Sequence, residues 1–220
     1  MDEIVLRIKS DLSVTATITE NGISEDKLIE PDEIAKAFQS SIVHPPNSLS
    51  SGILPPNIIS VAIDSVNETR YYVLDFPKST ADISYYGKLY YNFPIPRLVF
   101  GFEITKIGRI QSVYLGIPAD EPYTLETPMF HYPFSNVNGF LMCVGANELP
   151  LVTDIKTLPT LPYYFFGLPD NDDYYSPDQN KPGLSHQKLL DLLTDKDRNY
   201  YYDNILIPSG KTLNDFIERR

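Results

Sequence analysis

The sequence contains a single cysteine, Cys143, whose thiol could act as a nucleophile or as an acyl carrier. It lies in the apolar run 140–144, and a more polar stretch, 145–148, follows at once. Because free cysteine is among the most buried residue types, composition alone favours a small core residue. The polar stretch indicates that the chain leaves the core just there, which favours an exposed sulfur that can form a thiolate.

Three histidines could serve as partners of the thiol. His186 precedes a predicted helix, where the positive end of the helix dipole disfavours protonation and suits a neutral base. The same position also suits a surface residue without a role. His131 and His44 lie in predicted loops, where a polar loop residue is the ordinary interpretation.

An acidic run at residues 170–173 is the third candidate feature, and it contains Asp172 and Asp173. Such runs usually form solvated loops. A carboxylate placed over a thiol site could instead steer or deprotonate an incoming amine, provided that it lies within hydrogen-bond distance.

Length and charge limit the alternatives. The 220 residues suffice for one large domain without a disulfide or a metal, and one cysteine leaves no room for a cysteine-rich metal site. The net charge of -11 argues against nucleic acid and anionic membranes as partners. With neither a basic leader nor a long apolar run, we predict a soluble, cytoplasmic protein. The sequence has no phosphate loop or metal-protease motif, so no cofactor and no metal are predicted.

The elements that must position these residues are mostly strands. Residues 3–9 and 14–19 are typical of a hairpin, 31–38 of a short helix, and the Ser-, Pro- and Asn-rich segment 40–57 of an exposed connection. Residues 158–167 could be a short helix or irregular, and 169–182 are predicted to be a surface loop. Helices are predicted at 185–193 and 212–217. Strands are predicted at 58–63, 70–76, 88–93, 97–104 and 110–117, with a bulged hairpin at 105–109.

This order predicts an α+β domain, an antiparallel β-meander with helices packed on one face. The N-terminal hairpin and helix, residues 1–50, are predicted to pack on a core formed by residues 51–220, because they are too short to build a stable core alone.

The run 130–145 resembles the active-site segment of bacterial relatives of ubiquitin-conjugating enzymes, in particular the prokaryotic family D that includes PRTRC system protein B. In that family an aromatic-Asn-Val turn with a glycine leads into Cys-apolar-Gly. Segments 54–59, 71–77, 96–100, 164–167 and 212–217 also resemble the family's pattern, so the similarity covers most of the chain. The family histidine that follows the cysteine has a proline in its place within 174–180, which leaves His186 as the downstream histidine.

The resemblance implies a ubiquitin-conjugating-enzyme (UBC)-like core and a catalytic Cys143 that carries a ubiquitin-like protein as a thioester. An activating enzyme would load the modifier, an amine would then attack, and a metalloprotease-like deconjugase is a further implied partner. Asn136 matches the family asparagine that supports the oxyanion. His186, or the acidic residues Asp172 and Asp173, would handle the amine.

Two other functions remain open. A non-catalytic UBC-like scaffold that binds a ubiquitin-like protein or another component of the same system would have a buried, unreactive Cys143. A cysteine hydrolase would require Cys143 and His186 within hydrogen-bond distance of each other.

Overall fold

The computed structural model describes residues 3–219, except residue 12, residue 21, residue 31, residue 35 and the stretch 37–52. It divides into two compact units, 1–52 and 53–220, which are described separately.

The first unit contains a three-stranded antiparallel sheet in the order β1-β2-β3. The predicted hairpin is confirmed, because β1 (Glu3–Ile8) pairs with β2 (Val14–Glu20). The third strand, β3 (Ile23–Ile29), pairs with β2 but was not predicted, since its sequence is largely charged and polar. Of the predicted helix at 31–38, residues 32–34 and 36 are helical and the other positions lie outside the described residues, as does most of the predicted connection 40–57.

The second unit is built on an eight-stranded sheet in which every described pairing is antiparallel. Its main path runs β11-β12-β9-β8-β5-β4, and β10 pairs with both β9 and β14. A smaller sheet has the order β13-β6-β7, with β13 parallel to β6. The strands are β4 (Ile58–Asp64), β5 (Thr69–Phe76), β6 (Ser79–Tyr85), β7 (Lys88–Ile95), β8 (Leu98–Thr105), β9 (Ile110–Pro118), β10 (Pro128–Phe130), β11 (Val137–Asn138), β12 (Leu141–Met142), β13 (Pro169–Asp170) and β14 (Pro208–Thr212).

The five predicted strands of this unit are confirmed as β4, β5, β7, β8 and β9. The bulged hairpin between β8 and β9 is confirmed as well, because the register shifts at Glu103 and Ile104. Gly108 adopts a φ of +83° in its loop, and a Cβ there would lie 2.5 Å from the Val152 carbonyl oxygen. A glycine is therefore required at this turn.

Alternating side chains bury both faces of the large sheet. On β5, Tyr72 and Leu74 belong to the larger hydrophobic cluster, whereas Tyr71 and Val73 belong to a smaller one on the other face. Because a strand alternates its side chains between two faces, a strand that is apolar on both must be covered on both. This explains why residues 71–74 are buried without interruption.

Four short α-helices lie within residues 53–219. Leu189, Leu190 and Leu193 of the second helix are buried in the larger cluster, as its apolar stripe predicts. The fourth helix begins with a capping box between Thr212 and Asp215. The helices are α1 (Leu161–Phe166), which follows a 3-10 turn, α2 (His186–Leu193), α3 (Tyr200–Asn204) and α4 (Leu213–Ile217).

The predicted fold class is wrong. Strands make up 40% of the structure and helices 19%, and the curled eight-stranded sheet with few helices conflicts with a UBC α+β fold. The helices also do not share one face, since Leu213 and Phe216 of α4 lie in the smaller cluster while α1, α2 and α3 contribute to the larger one. The chain also leaves the meander after β5 and builds β6 and β7 into a separate sheet before it returns at β8.

Within the described residues, no helix combines the length and apolar character that a membrane crossing demands.

Candidate functional site

Cys143 lies at the end of a tight hairpin formed by β11 and β12. Val137 pairs with Met142 and Asn138 with Leu141, and Gly139 turns the chain with a φ of +61°. The Cys143 N–H donates to the Asn136 carbonyl at 2.7 Å, which places these two residues opposite each other. The Cys143 side chain is exposed, as the polar stretch after it predicted.

Asn136 connects the hairpin to the acidic segment. Its φ of +60° is left-handed, a conformation that asparagine tolerates better than most residues. Its backbone N–H donates to the Asp173 carbonyl at 2.6 Å, and its side-chain Nδ2 donates to Asp170 Oδ1 at 2.6 Å. One residue therefore contacts both the cysteine strand and the carboxylate segment.

Asp170 is the carboxylate that these contacts fix most firmly. Its Oδ1 accepts hydrogen bonds from Ser135 Oγ, from Asn136 Nδ2 and from the Asn171 N–H. Burial raises the pKa of Asp170, whereas the Ser135 hydrogen bond and the charge of a protonated His186 act in the opposite direction. Strand β13 holds Asp170 in this place by pairing it with Tyr85 of β6.

His186 lies behind Asp170, with its side chain only 1% exposed. Its Nδ1 is 3.1 Å from both the Asn171 carbonyl oxygen and Asp172 Oδ1, and both atoms are acceptors, so Nδ1 carries a hydrogen. Its Nε2 is buried without a hydrogen-bond partner and lies 3.7 Å from Asp170 Oδ2. In the neutral ring, therefore, Nε2 presents a free lone pair beside Asp170.

Aromatic rings fix the orientation of this imidazole. Tyr175 stacks on it at 4.6 Å with an angle of 9°, and Tyr85 meets its edge at the same distance. The Tyr85 hydroxyl donates to Asp172 Oδ1 at 2.9 Å. Burial raises the pKa of both tyrosines, and the Asp172 hydrogen bond adds to the effect at Tyr85, so both hydroxyls stay neutral.

A cleft of about 160 Å³ opens beside Cys143. The exposed or half-buried Cys143, Asn136, Asp170 and Asp173 line its polar side, together with the buried Ser135. Its inner wall is mostly apolar and comes from four strands and two helices: Ile83, Phe93, Ile95, Phe100, Leu115, Phe165, Phe166 and Leu190. The hairpin thus holds the thiol at the junction of a polar and an apolar wall.

Only some of the predicted site residues line the cleft. Cys143, Asn136 and Asp173 line the cleft, whereas Asp172 and His186 lie behind Asp170. His131 is exposed, and His44 lies outside the described residues. His186 makes no hydrogen bond to Cys143, since Nδ1 contacts Asn171 and Asp172 and Nε2 has no partner, so the dyad that a cysteine hydrolase requires is not formed.

The sequence analysis named the acidic run 170–173 but chose Asp172 and Asp173 from it and not Asp170, and it missed Ser135. The sequence holds a weak signal for Asp170, because it is the first acidic residue after the apolar segment 158–168. A carboxylate at this position is expected at the edge of the core. Among the described residues, no three His, Cys, Asp or Glu side chains are arranged to hold a metal ion.

Comparisons with protein-family models, with curated proteins and with solved structures find no match to this chain. The resemblance to the prokaryotic conjugating-enzyme relatives therefore stays a prediction.

Proposed function

We propose that this protein is an acyl-transfer enzyme that carries an acyl group as a thioester on Cys143 and transfers it to an amine. The observation that carries the proposal is the backbone hydrogen bond that places Cys143, with its exposed thiol, opposite Asn136, whose side-chain amide binds the carboxylate of Asp170 in the same cleft. A nucleophile, an amide donor and a carboxylate are thus adjacent, which is the minimum set for this chemistry.

In the first step the exposed Cys143 thiol releases its proton to solvent and Sγ attacks an activated acyl carbonyl. A carbon–sulfur bond forms, the activating group leaves with its electron pair, and the acyl group becomes a thioester. The exposure of Cys143 gives a bulky donor access to the sulfur.

In the second step an amine attacks the thioester, and its proton passes to Asp170. Asn136 Nδ2 carries two hydrogens, one of which is bonded to Asp170, so the other is available to the oxyanion of the intermediate. The carbon–sulfur bond then breaks, the amide is released and Cys143 is regenerated as a thiolate. His186 Nε2 receives the proton from Asp170, while Asp172 holds the ring through Nδ1.

The nature of the acyl donor follows from the resemblance and forms part of the proposal. We propose that the donor is the carboxyl terminus of a ubiquitin-like protein, that an activating enzyme of the same system loads it, and that a metalloprotease-like deconjugase reverses the modification. The proposal depends on the cysteine cleft and not on a UBC fold. We place the reaction in the cytoplasm, where a thiol stays reduced.

The test combines the protein with ATP and with the activating enzyme and ubiquitin-like protein encoded in its gene neighbourhood. We expect an adduct that thiols cleave. Cys143→Ala should form none, and Cys143→Ser should form an adduct that thiols do not cleave, because an ester replaces the thioester.

If an activating enzyme that is itself charged with the modifier leaves the wild type unmodified, or if Cys143→Ala still forms the adduct, the proposal is wrong. Binding of the modifier without an adduct would instead indicate a non-catalytic binding protein.

A further inference from the structure

The cleft beside Cys143 has a defined size. Its volume is about 160 Å³. An engineered apolar cavity of roughly 150 Å³ binds benzene, so the space beside Cys143 matches one aromatic ring or one large branched side chain.

The inner wall offers little to water. Ile83, Phe166 and Leu168 line the cleft from half-buried positions and provide no polar side-chain atoms. A water molecule placed against them would lack the two to four polar partners that stabilise buried water. An apolar group removes this surface from water and is the better occupant.

The polar wall and the apolar wall of the cleft suit different parts of a bound substrate. An amine that approaches the thioester meets Asp170 and Asp173, whose carboxylates favour a cation or a hydrogen-bond donor. The acyl carbon is bonded directly to Sγ at the junction of the two walls, so its own substituent is within reach of the apolar wall. The polar wall therefore suits the amine, and the apolar wall suits the acyl group.

We infer that the cavity beside Cys143 is a specificity pocket for a ring-sized or large branched apolar group that the acyl donor carries next to its reacting carbonyl. This inference rests on the proposed acyl transfer and names its substrate class. A carboxyl-terminal residue with an aromatic or large aliphatic side chain fits, whereas glycine leaves the cavity unfilled.

A pair of alkylating probes tests the pocket without any partner protein. Chloroacetamide and N-benzylchloroacetamide react in the same way, because Sγ displaces chloride, a carbon–sulfur bond forms, and the thiol proton goes to solvent. We expect the benzyl probe to label Cys143 about tenfold faster than chloroacetamide, after correction for their rates with glutathione, and to saturate. An excess of phenylacetamide, which lacks the chlorine, should compete.

A matched pair of variants locates the effect. Ile83→Phe places a ring at the cavity wall from a half-buried position, and Ile63→Phe makes the same change at an exposed position of β4 outside the cavity. We expect Ile83→Phe to remove most of the benzyl preference, measured as the ratio of the two corrected rates in that variant. Ile63→Phe should keep the preference.

Equal corrected rates of the two probes on the wild type, or no competition by phenylacetamide, would overturn the inference. The competition experiment uses the wild-type protein, so it tests the pocket even if Ile83→Phe fails to fold. A benzyl preference without a thioester in the activating-enzyme assay would support the pocket and contradict the acyl transfer, and the reverse result would contradict the pocket alone.

Discussion

Two carboxylates of this protein have nearly the same exposure but different surroundings. The Asp75 side chain is 23% exposed and the Asp170 side chain 25%. Asp75 accepts hydrogen bonds from Arg97 Nε at 2.9 Å and from the Tyr123 hydroxyl, and the Arg97 guanidinium lies 3.9 Å from the centre of the Tyr123 ring. Among the described residues, Asp170 has neutral donors and His186 at 3.7 Å, but no Lys or Arg salt bridge.

The difference separates a structural carboxylate from a candidate functional one. A fixed guanidinium compensates the charge of Asp75. The carboxylate also connects β5 to Arg97, just before β8, and to Tyr123, after β9. Burial raises the pKa of Asp170, and its carboxylate lies beside the buried His186 Nε2, which has no hydrogen-bond partner. Carboxylates with perturbed pKa values in clefts are typical of active sites.

The largest expected effect comes from removal of the compensating charge. Arg97→Met leaves Asp75 part-buried without a cation, and we expect the free energy of unfolding to fall by about 3 kcal/mol, the lower end for a broken buried pair. Urea unfolding measures it. Asp75→Asn in the same background should restore part of the loss, and a loss below about 1 kcal/mol for Arg97→Met would show that the pair is not structural.

Neutralising each carboxylate alone should change the free energy of unfolding by different amounts. Asp75→Asn removes the partner of Arg97 and is expected to cost about 2 kcal/mol. Asp170→Asn keeps an acceptor oxygen for Ser135 and Asn136 while it removes a charge disfavoured by burial, so we expect a change within about 1 kcal/mol or a gain. If both variants lose the same stability, the distinction between the two carboxylates is wrong.

The pH dependence of stability provides a finer comparison. The pKa of Asp170 is raised above the ordinary 3.8, so the native state holds this proton more tightly than the unfolded chain. As pH falls through the raised pKa, the free energy of unfolding should increase, and the increase should end near 3.8. Asp170→Asn should lack this contribution. Unfolding curves of both proteins across the window test it, and identical pH profiles would contradict it.

The smallest effect on stability is expected at His186. His186→Phe removes a buried nitrogen without a partner and retains the stacking on Tyr175, although it loses the Nδ1 hydrogen bonds. Because the two changes oppose each other, we expect a change of about 1 kcal/mol or less. The aminolysis rate should fall in the same variant, and unchanged aminolysis would exclude a role for this ring.

The sequence predicted strands well where β-branched and aromatic residues dominate. The segments 58–63 and 70–76 are of this kind, and both form strands. Strands β3 and β6 were missed because Ser, Thr, Asp, Glu and Lys occupy many of their positions. Their pairing depends on neighbouring strands more than on their own propensity.

The failure of the fold class has a similar physical origin. A helix at 212–217 was predicted and forms as α4, but the sequence does not say which face of the sheet this helix covers. The partner surface is set by contacts distant in sequence, which periodicity does not contain.

Only the part of the site that comes from one continuous stretch of sequence was predictable. Cys143 and Asn136 belong to one hairpin and were identified from one continuous stretch. Asp170 reaches Asn136 across 34 positions, and His186 is buried by Tyr175 and Tyr85 from other segments. Such contacts arise from the fold and leave no spacing signal in the chain.

The most direct test of the account is the rate at which an amine discharges a thioester on Cys143. The protein can be acylated by exchange with a small-molecule thioester, and its mass can be followed after the addition of lysine. We predict aminolysis about 100-fold faster than that of a cysteine peptide thioester, with most of this advantage lost in Asp170→Asn and retained in Asp75→Asn. Discharge at the rate of the peptide thioester, unchanged in Asp170→Asn, would contradict the assignment of this cleft as an acyl-transfer site.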